Sequence, residues 1–269
     1  MSQDSNKPGR EWIKVINQGK GYSGIGLALF RDRLKTLEKQ YVFFQVLLKY
    51  VSTGDTVLEA GCGWAFSSFA LARRGIRTVA LDISEKLVED LNNIRRGLGA
   101  EYEKYLEVVQ GDLFQLKRLG RKFNVIVNDD TYEYFTDEND RQRILVNIGQ
   151  CLEAGGKYIV AVPNMNNPFF NAVVDQKMPA IHRFDIKSLK TELERSEFQV
   201  VETGYQFVNP GFEQWLKIKW AAALVRIANN FFSYFPPFFK RVLAAHLYCV
   251  AIQKADQERR NAASNPVQR

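Results

Sequence analysis

Thr56-Val57-Leu58-Glu59-Ala60-Gly61-Cys62-Gly63-Trp64-Ala65-Phe66 leads through Ser67 to Gly75 into Ile76-Arg77-Thr78-Val79-Ala80-Leu81-Asp82. A short apolar run ends in a Gly-x-Gly turn, about ten residues of helical pattern follow, and a second apolar run ends in an acid. That succession predicts a β-α-β unit. Gly61 and Gly63 let the backbone turn tightly and approach a ligand where a side chain would intrude. Asp82, 21 residues after Gly61, can reach a ribose diol from the end of the second strand. The unit is a nucleoside site, open to a dinucleotide or to an adenosyl cofactor.

Glu59 separates NAD from S-adenosylmethionine. In a dinucleotide site the pyrophosphate lies against the turn and the helix N-terminus, and a carboxylate two residues before the first glycine would repel it. A sulfonium carrying an ammonium group would be attracted instead. The third glycine of G-x-G-x-x-G is also absent, because Phe66 holds its place. A lone Gly-x-Gly is equally the mark of an ordinary tight turn; Glu59 before it and Asp82 after it weigh against that reading.

Val57 to Gly63 resembles motif I of the class I S-adenosylmethionine-dependent methyltransferases, acid-x-Gly-x-Gly-x-Gly. Glu59, Gly61 and Gly63 match, and Ala65 stands where the last glycine would be. The resemblance covers roughly residues 40 to 205 and implies S-adenosylmethionine as cofactor, S-adenosylhomocysteine as product and no metal. It places Glu59 near the methionine ammonium, Gly61, Cys62 and Gly63 at the turn, and Asp82 with Ile83 at the ribose. Asp112 matches the family's acid at the adenine amino group, with the Leu113 backbone beside it, and Asn128 follows at the end of the fourth strand. An N-terminal segment often folds over the cofactor in this family, which makes Tyr22 a lid candidate.

The family often shows a Glu-His pair after strand four, where this chain has Glu133-Tyr134, so a ready general base is missing there. His182 stands where similar enzymes carry a histidine before the helix preceding strand six, and it is the candidate base. Tyr132, Glu133 and Tyr134 are expected to line the acceptor site, and His246, in the last strand, to serve packing. Leu152-Glu153-Ala154-Gly155-Gly156 followed by Lys157 to Pro163 resembles the family's Leu-x-x-Gly-Gly turn and fifth strand.

With 269 residues, 46% of them hydrophobic, the chain can bury a full core. No run of 18 apolar residues exists and Met1 to Arg10 is polar, so neither a membrane span nor a secretory signal is expected. Cys62, Cys151 and Cys249 have no metal-like or paired spacing and there are two histidines, which points to a reducing cytoplasm and no zinc site. The net charge of +7 is concentrated: residues 208 to 269 hold nine Lys or Arg against Glu213, Asp256 and Glu258, a balance of +6.

In order, the chain reads as a leader and lid segment over residues 1–40, a catalytic domain over 41–207, an aromatic helical insert over 208–245, a last strand over 246–254 and a disordered basic tail over 255–269. A helical pattern runs from about Leu27 to Tyr50, and further strands are expected at Tyr105 to Gln110, Phe123 to Val127, Phe198 to Phe207 and His246 to Lys254. The expected fold is α/β, a doubly wound seven-stranded and mostly parallel sheet with its last strand antiparallel. The insert replaces a hairpin, and ten of the chain's 34 aromatic residues fall between Val208 and Val250. Leaving the carboxyl end of strand six, it is expected to wall the acceptor site with Trp215 and Trp220, or alternatively to enlarge the core.

The expected function is methyl transfer to oxygen or nitrogen of a small-molecule or lipid-like acceptor. The basic aromatic insert leaves peripheral contact with an anionic membrane open, whereas oligomeric state is not legible. A non-catalytic cofactor-binding scaffold is the alternative. A nucleic-acid methyltransferase ranks below it, since no Asn-Pro-Pro-Tyr-like tetrapeptide follows strand four.

Overall fold

The computed structural model describes residues 26–40, 42–168, 181–206, 231 and 234–254. Tyr22, Trp215, Trp220 and the expected tail lie outside these residues, as does most of the insert. Seven strands, β1 Thr56–Ala60, β2 Arg77–Asp82, β3 Leu106–Gln110, β4 Phe123–Asp129, β5 Leu152–Pro163, β6 Phe198–Tyr205 and β7 His246–Gln253, form one sheet in the order β3-β2-β1-β4-β5-β7-β6. The β1–β2, β1–β4, β2–β3 and β4–β5 pairs are parallel, and β7 runs antiparallel between β5 and β6. The doubly wound sheet with an antiparallel last strand is as the resemblance implies.

Alternation along the strands feeds two core layers. Val57, Val125, Val127, Ile159 and Val250 face one layer, packed under α1 Leu27–Gln40, α2 Val42–Tyr50, α3 Phe66–Ala72, α4 Glu85–Leu98 and α5 Ala100–Tyr105. Leu58, Ile126, Tyr158, Val160 and Cys249 face the other, under α6 Glu138–Cys151 and α7 Ile186–Arg195. The helical stretch expected from Leu27 to Tyr50 is described as Leu27–Gln40 and Val42–Tyr50, with position 41 outside the described residues. Neither the six-residue α5 nor the 3-10 segment Leu113–Leu119 is announced by an apolar period, because each is too short to show one.

Polar caps start the longer helices. Ser84 accepts from the Leu87 N–H, Asp137 from those of Asn139 and Asp140, and Asp185 forms a capping box with Ser188. At the last strand Asn164, fully buried, donates through Nδ2 to the carbonyls of Arg241 (2.8 Å) and Ala244 (2.9 Å). Asn167 donates to Leu243 and Ala244 at 3.1 Å. These bonds fix the end of α8 Pro237–Leu243 against the carboxyl end of β5, on the side of the sheet where the loops after β1 and β4 emerge.

Under the second face a buried ion pair joins α6 to α7: Arg141 Nε lies 2.8 Å from Glu192 Oε1. Arg141 Nη1 also donates to the carbonyls of Phe135 and Thr136, each at 2.9 Å, and the Tyr132 hydroxyl donates to Glu192. The expectation that Tyr132 lines an acceptor site is therefore corrected: it is fully buried and stacks on Phe184, because its ring has an apolar slot and its hydroxyl a carboxylate partner there. Replacing Arg141 by Met leaves the Glu192 carboxylate buried without its cation. Urea denaturation of Arg141→Met should show a loss of about 3–5 kcal/mol, and a loss under about 1 kcal/mol would mean the pair is not needed to keep Glu192 buried.

Candidate functional site

Strand order reverses between β1 and β4, and open α/β sheets hold ligands at the carboxyl ends of the strands beside such a reversal. A cleft of about 230 Å³ lies there. Its walls come from four loops: Gly61, Cys62, Gly63, Trp64 and Phe66 after β1, Asp82 and Ile83 after β2, Asp112 and Leu113 after β3, and Asp129, Asp130, Thr131, Tyr134 and Phe135 after β4.

The turn is held in a conformation few residues tolerate. Gly61, Gly63 and Ala65 all have positive φ, 74°, 48° and 53°. The N–H groups of Gly61 and Cys62 both donate to the Leu81 carbonyl, at 2.8 and 2.9 Å, so the turn is pulled against the end of β2. Thr131 Oγ1 donates to the Gly61 carbonyl at 2.7 Å, and a Cβ at Gly61 would overlap the Thr131 side chain. Ala65 adopts the left-handed conformation in place of the motif's last glycine and carries its cost of about 1–2 kcal/mol.

Asp82 accepts from the Gly63 N–H at Oδ2 and from the Ser84 N–H at Oδ1, both at 3.0 Å. Burial raises its pKa, against the lowering effect of those bonds. Asp112 caps the 3-10 segment by accepting from the Phe114 N–H at 2.9 Å and stands on the cleft wall. Glu59 does not reach the wall. It lies beneath the turn, 6% exposed, and one carboxylate oxygen accepts from both the N–H (2.9 Å) and the hydroxyl of Ser68. Burial pushes its pKa up to about 7, the Ser68 bonds opposing the shift.

Asn128, expected beside the cofactor, is placed in the core. Its Nδ2 donates to the Ala60 carbonyl and its Oδ1 accepts from the Tyr158 hydroxyl at 2.9 Å, so it clasps β1 to β4 and β5 instead. Glu133 is likewise off the wall. It is 1% exposed, its Oε2 has no hydrogen-bond partner, and burial, followed by the charges of Asp130 and Asp129, raises its pKa well above the ordinary value. Tyr134, its neighbour, does line the cleft. His182 donates its backbone N–H to the Glu133 carbonyl at 2.7 Å and sets its ring edge-on to Phe184. Burial lowers its pKa, followed by the Arg141 charge, and it is not among the wall residues.

The reading of His246 as packing is corrected. It opens β7, which being antiparallel begins at the cleft side of the sheet, and its Nε2 lies 3.0 Å from Oδ1 of the wall residue Asp130. Burial alone would lower its pKa, but Asp130 and then Asp129 more than offset this and hold it above the ordinary histidine value. Asp130 itself has φ 52°, a strained backbone for a non-glycine residue. Sequence reasoning missed this pair and Thr131. The acidic run after β4 was visible, but its partner stands more than a hundred residues away and no spacing rule connects them.

A family model described as a methyltransferase domain matches residues 57–156. A Streptomyces protein named cypemycin N-terminal methyltransferase is 33% identical over 104 residues, 38% of this chain and 40% of its own length. The Coxiella burnetii ubiquinone biosynthesis O-methyltransferase is 26% identical over 127 residues, 47% of this chain and 50% of its own. The chain thus spans half or less of the length of these two relatives. Among solved structures, the glycopeptide N-methyltransferase complexed with sinefungin superposes with a TM-score of 0.56 at 15% identity, over 80% of this chain and 93% of that one. The Synechocystis magnesium protoporphyrin IX methyltransferase with bound S-adenosylhomocysteine gives 0.55 at 14%, over 90% and 94%. Residues 57–156 thus match a methyltransferase domain, and the glycine turn and sheet order give the chain the class I, Rossmann-like methyltransferase fold.

Proposed function

We propose that this chain transfers the methyl group of S-adenosylmethionine to oxygen or nitrogen of a small-molecule, peptide or lipid-like acceptor. The observation that carries the reading is the charge of the cleft. Asp82, Asp112, Asp129 and Asp130 stand on its wall, and none of the described wall residues is Lys or Arg. Such a wall repels the diphosphate of a dinucleotide and attracts a sulfonium and an ammonium. Asp82 would take the ribose diol, Asp112 the adenine amino group, and the Gly61–Gly63 backbone would pack against the methionyl part, with Glu59 adding negative potential from beneath.

The sulfonium methyl is already activated, so alignment of nucleophile, carbon and sulfur is the chain's main contribution, and positioning of this kind supplies roughly 7–11 kcal/mol. As the new bond to carbon forms and the carbon–sulfur bond breaks, a hydroxyl acceptor gives up its proton, whereas an amine attacks as the neutral base and its methylated ammonium product sheds the proton. The Asp130–His246 pair is the acid–base couple nearest the cleft, and His182 stands behind it as the second candidate. The acceptor names of the relatives, an N-terminus and a ubiquinone precursor pathway, favour a small or peptide acceptor over a nucleic acid.

Calorimetry should show binding of S-adenosylmethionine and its demethylated product and none of NAD. Asp82→Ala should weaken the cofactor at least roughly ten-fold more than Asp112→Ala, because a charge-assisted diol contact is lost in the first and packing retains the adenine in the second. Equal losses would mean that the two acids are misassigned, and tight NAD binding would overturn the reading.

Glu59 makes a separate prediction about stability. Its folded pKa of about 7 lies above the ordinary 4.5, so the folded state holds the proton more tightly. The ligand-free protein should therefore lose stability as pH rises from about 4.5 to 7 and level off above. Glu59→Gln keeps an acceptor for Ser68 and should remove on the order of 3 kcal/mol of that loss in denaturation curves taken at pH 5 and pH 8. Parallel curves for both proteins would show that Glu59 does not titrate in this range.

A further inference from the structure

We propose that α8 and the aromatic residues just before it form a docking face for an anionic lipid surface. None of the seven residues of α8 is buried. Phe238 is 69% exposed, Phe239 51%, Phe231 57% and Tyr234 82%, so four large aromatic side chains within nine residues face solvent. The Phe238 and Phe239 rings meet edge-to-face at 5.7 Å. Scattered apolar residues on a surface need no explanation, but exposed aromatic rings packed on one another, as Phe238 and Phe239 are, are of the kind that marks an interaction site.

The charge of the patch selects the partner. Lys240 and Arg241 follow the two phenylalanines directly, and no acid occurs from Phe231 to Ala245. Aromatic rings settle at the headgroup level of a bilayer, and adjacent Lys and Arg are drawn to its anionic lipids. A second copy of this chain is disfavoured, because a two-fold contact through the patch would set its cations against their own copies. No described helix is long and apolar enough to cross a membrane.

The patch is also fixed relative to the cleft. Asn164 and Asn167 hold the last turn of α8 through its carbonyls, and two residues later His246 meets Asp130 on the cleft wall. Docking through Phe238 and Phe239 would therefore bring the carboxyl-end side of the sheet toward the bilayer, where an amphipathic acceptor would be presented.

The test is co-sedimentation of the full chain with vesicles of phosphatidylcholine alone and of phosphatidylcholine containing phosphatidylglycerol, with neither cofactor nor acceptor present. Its result is thus independent of the methyl-transfer reading. Binding is expected to the phosphatidylglycerol vesicles and to weaken with added salt. Phe238→Ser with Phe239→Ser should lower the partition roughly ten-fold or more, and Lys240→Glu with Arg241→Glu should abolish the preference for anionic lipid. Because Phe238 and Phe239 are exposed, thermal unfolding of the phenylalanine variant should match the parent. No binding to anionic vesicles, or undiminished binding by the phenylalanine variant, overturns the proposal. So does light scattering that shows a dimer converted to monomer by the phenylalanine changes with no effect on vesicle binding, since the occupant is then a second copy.

Discussion

The ends of β1 and β4 are sewn together by side chains, and the site depends on that seam. Asn128 reaches from β4 to the last carbonyl of β1 and is itself held by the Tyr158 hydroxyl on β5. Three residues further on, Thr131 bonds the Gly61 carbonyl. A backbone carbonyl buried at a strand end is costly unless paired, so these two bonds fix the crevice at the strand reversal before any ligand enters. The seam also explains why Gly61 must lack a side chain: the volume a Cβ would fill already belongs to Thr131.

The second constraint is electrostatic. Carboxylates accumulate around the turn and the β4 loop while burial opposes their ionisation, which raises Glu59, Asp82 and Glu133 together. Groups in this state favour whatever cation can replace lost water. Wall residues with neutral or apolar side chains, Trp64, Phe66, Ile83 and Phe135, exclude solvent around them and sharpen that preference.

How much of this was legible follows from the range of the interactions. The β-α-β unit and the wall positions of Gly61 and Asp82 arise from local patterns that the sequence carries openly, whereas the antiparallel last strand and the place of Asp112 came only through the family resemblance. Asn128 and Tyr132 look like site residues in sequence because they flank the right strand end. Their side chains turn inward to find a carbonyl and a carboxylate contributed from 68 and 60 residues away. Glu59 reads as a ligand contact for the same reason, yet Ser68, in the first turn of α3, claims its carboxylate. The Asp130–His246 pair was illegible because it forms only when β7 inserts beside β5.

That insertion sets an order of events for folding. β7 pairs with β5 along seven residues, Lys157 to Pro163 against His246 to Ile252, and it is the strand that carries β6. During synthesis β5 is complete about ninety residues before its neighbour exists, so its hydrophobic edge stays open through the whole of α7, β6 and the segment that follows. Open edges invite pairing with other chains, and non-local strand closure is slow. The final strand to emerge therefore closes the sheet and brings His246 to the cleft in one step, and the cleft acquires its only described histidine–carboxylate ion pair when the exposed edge disappears.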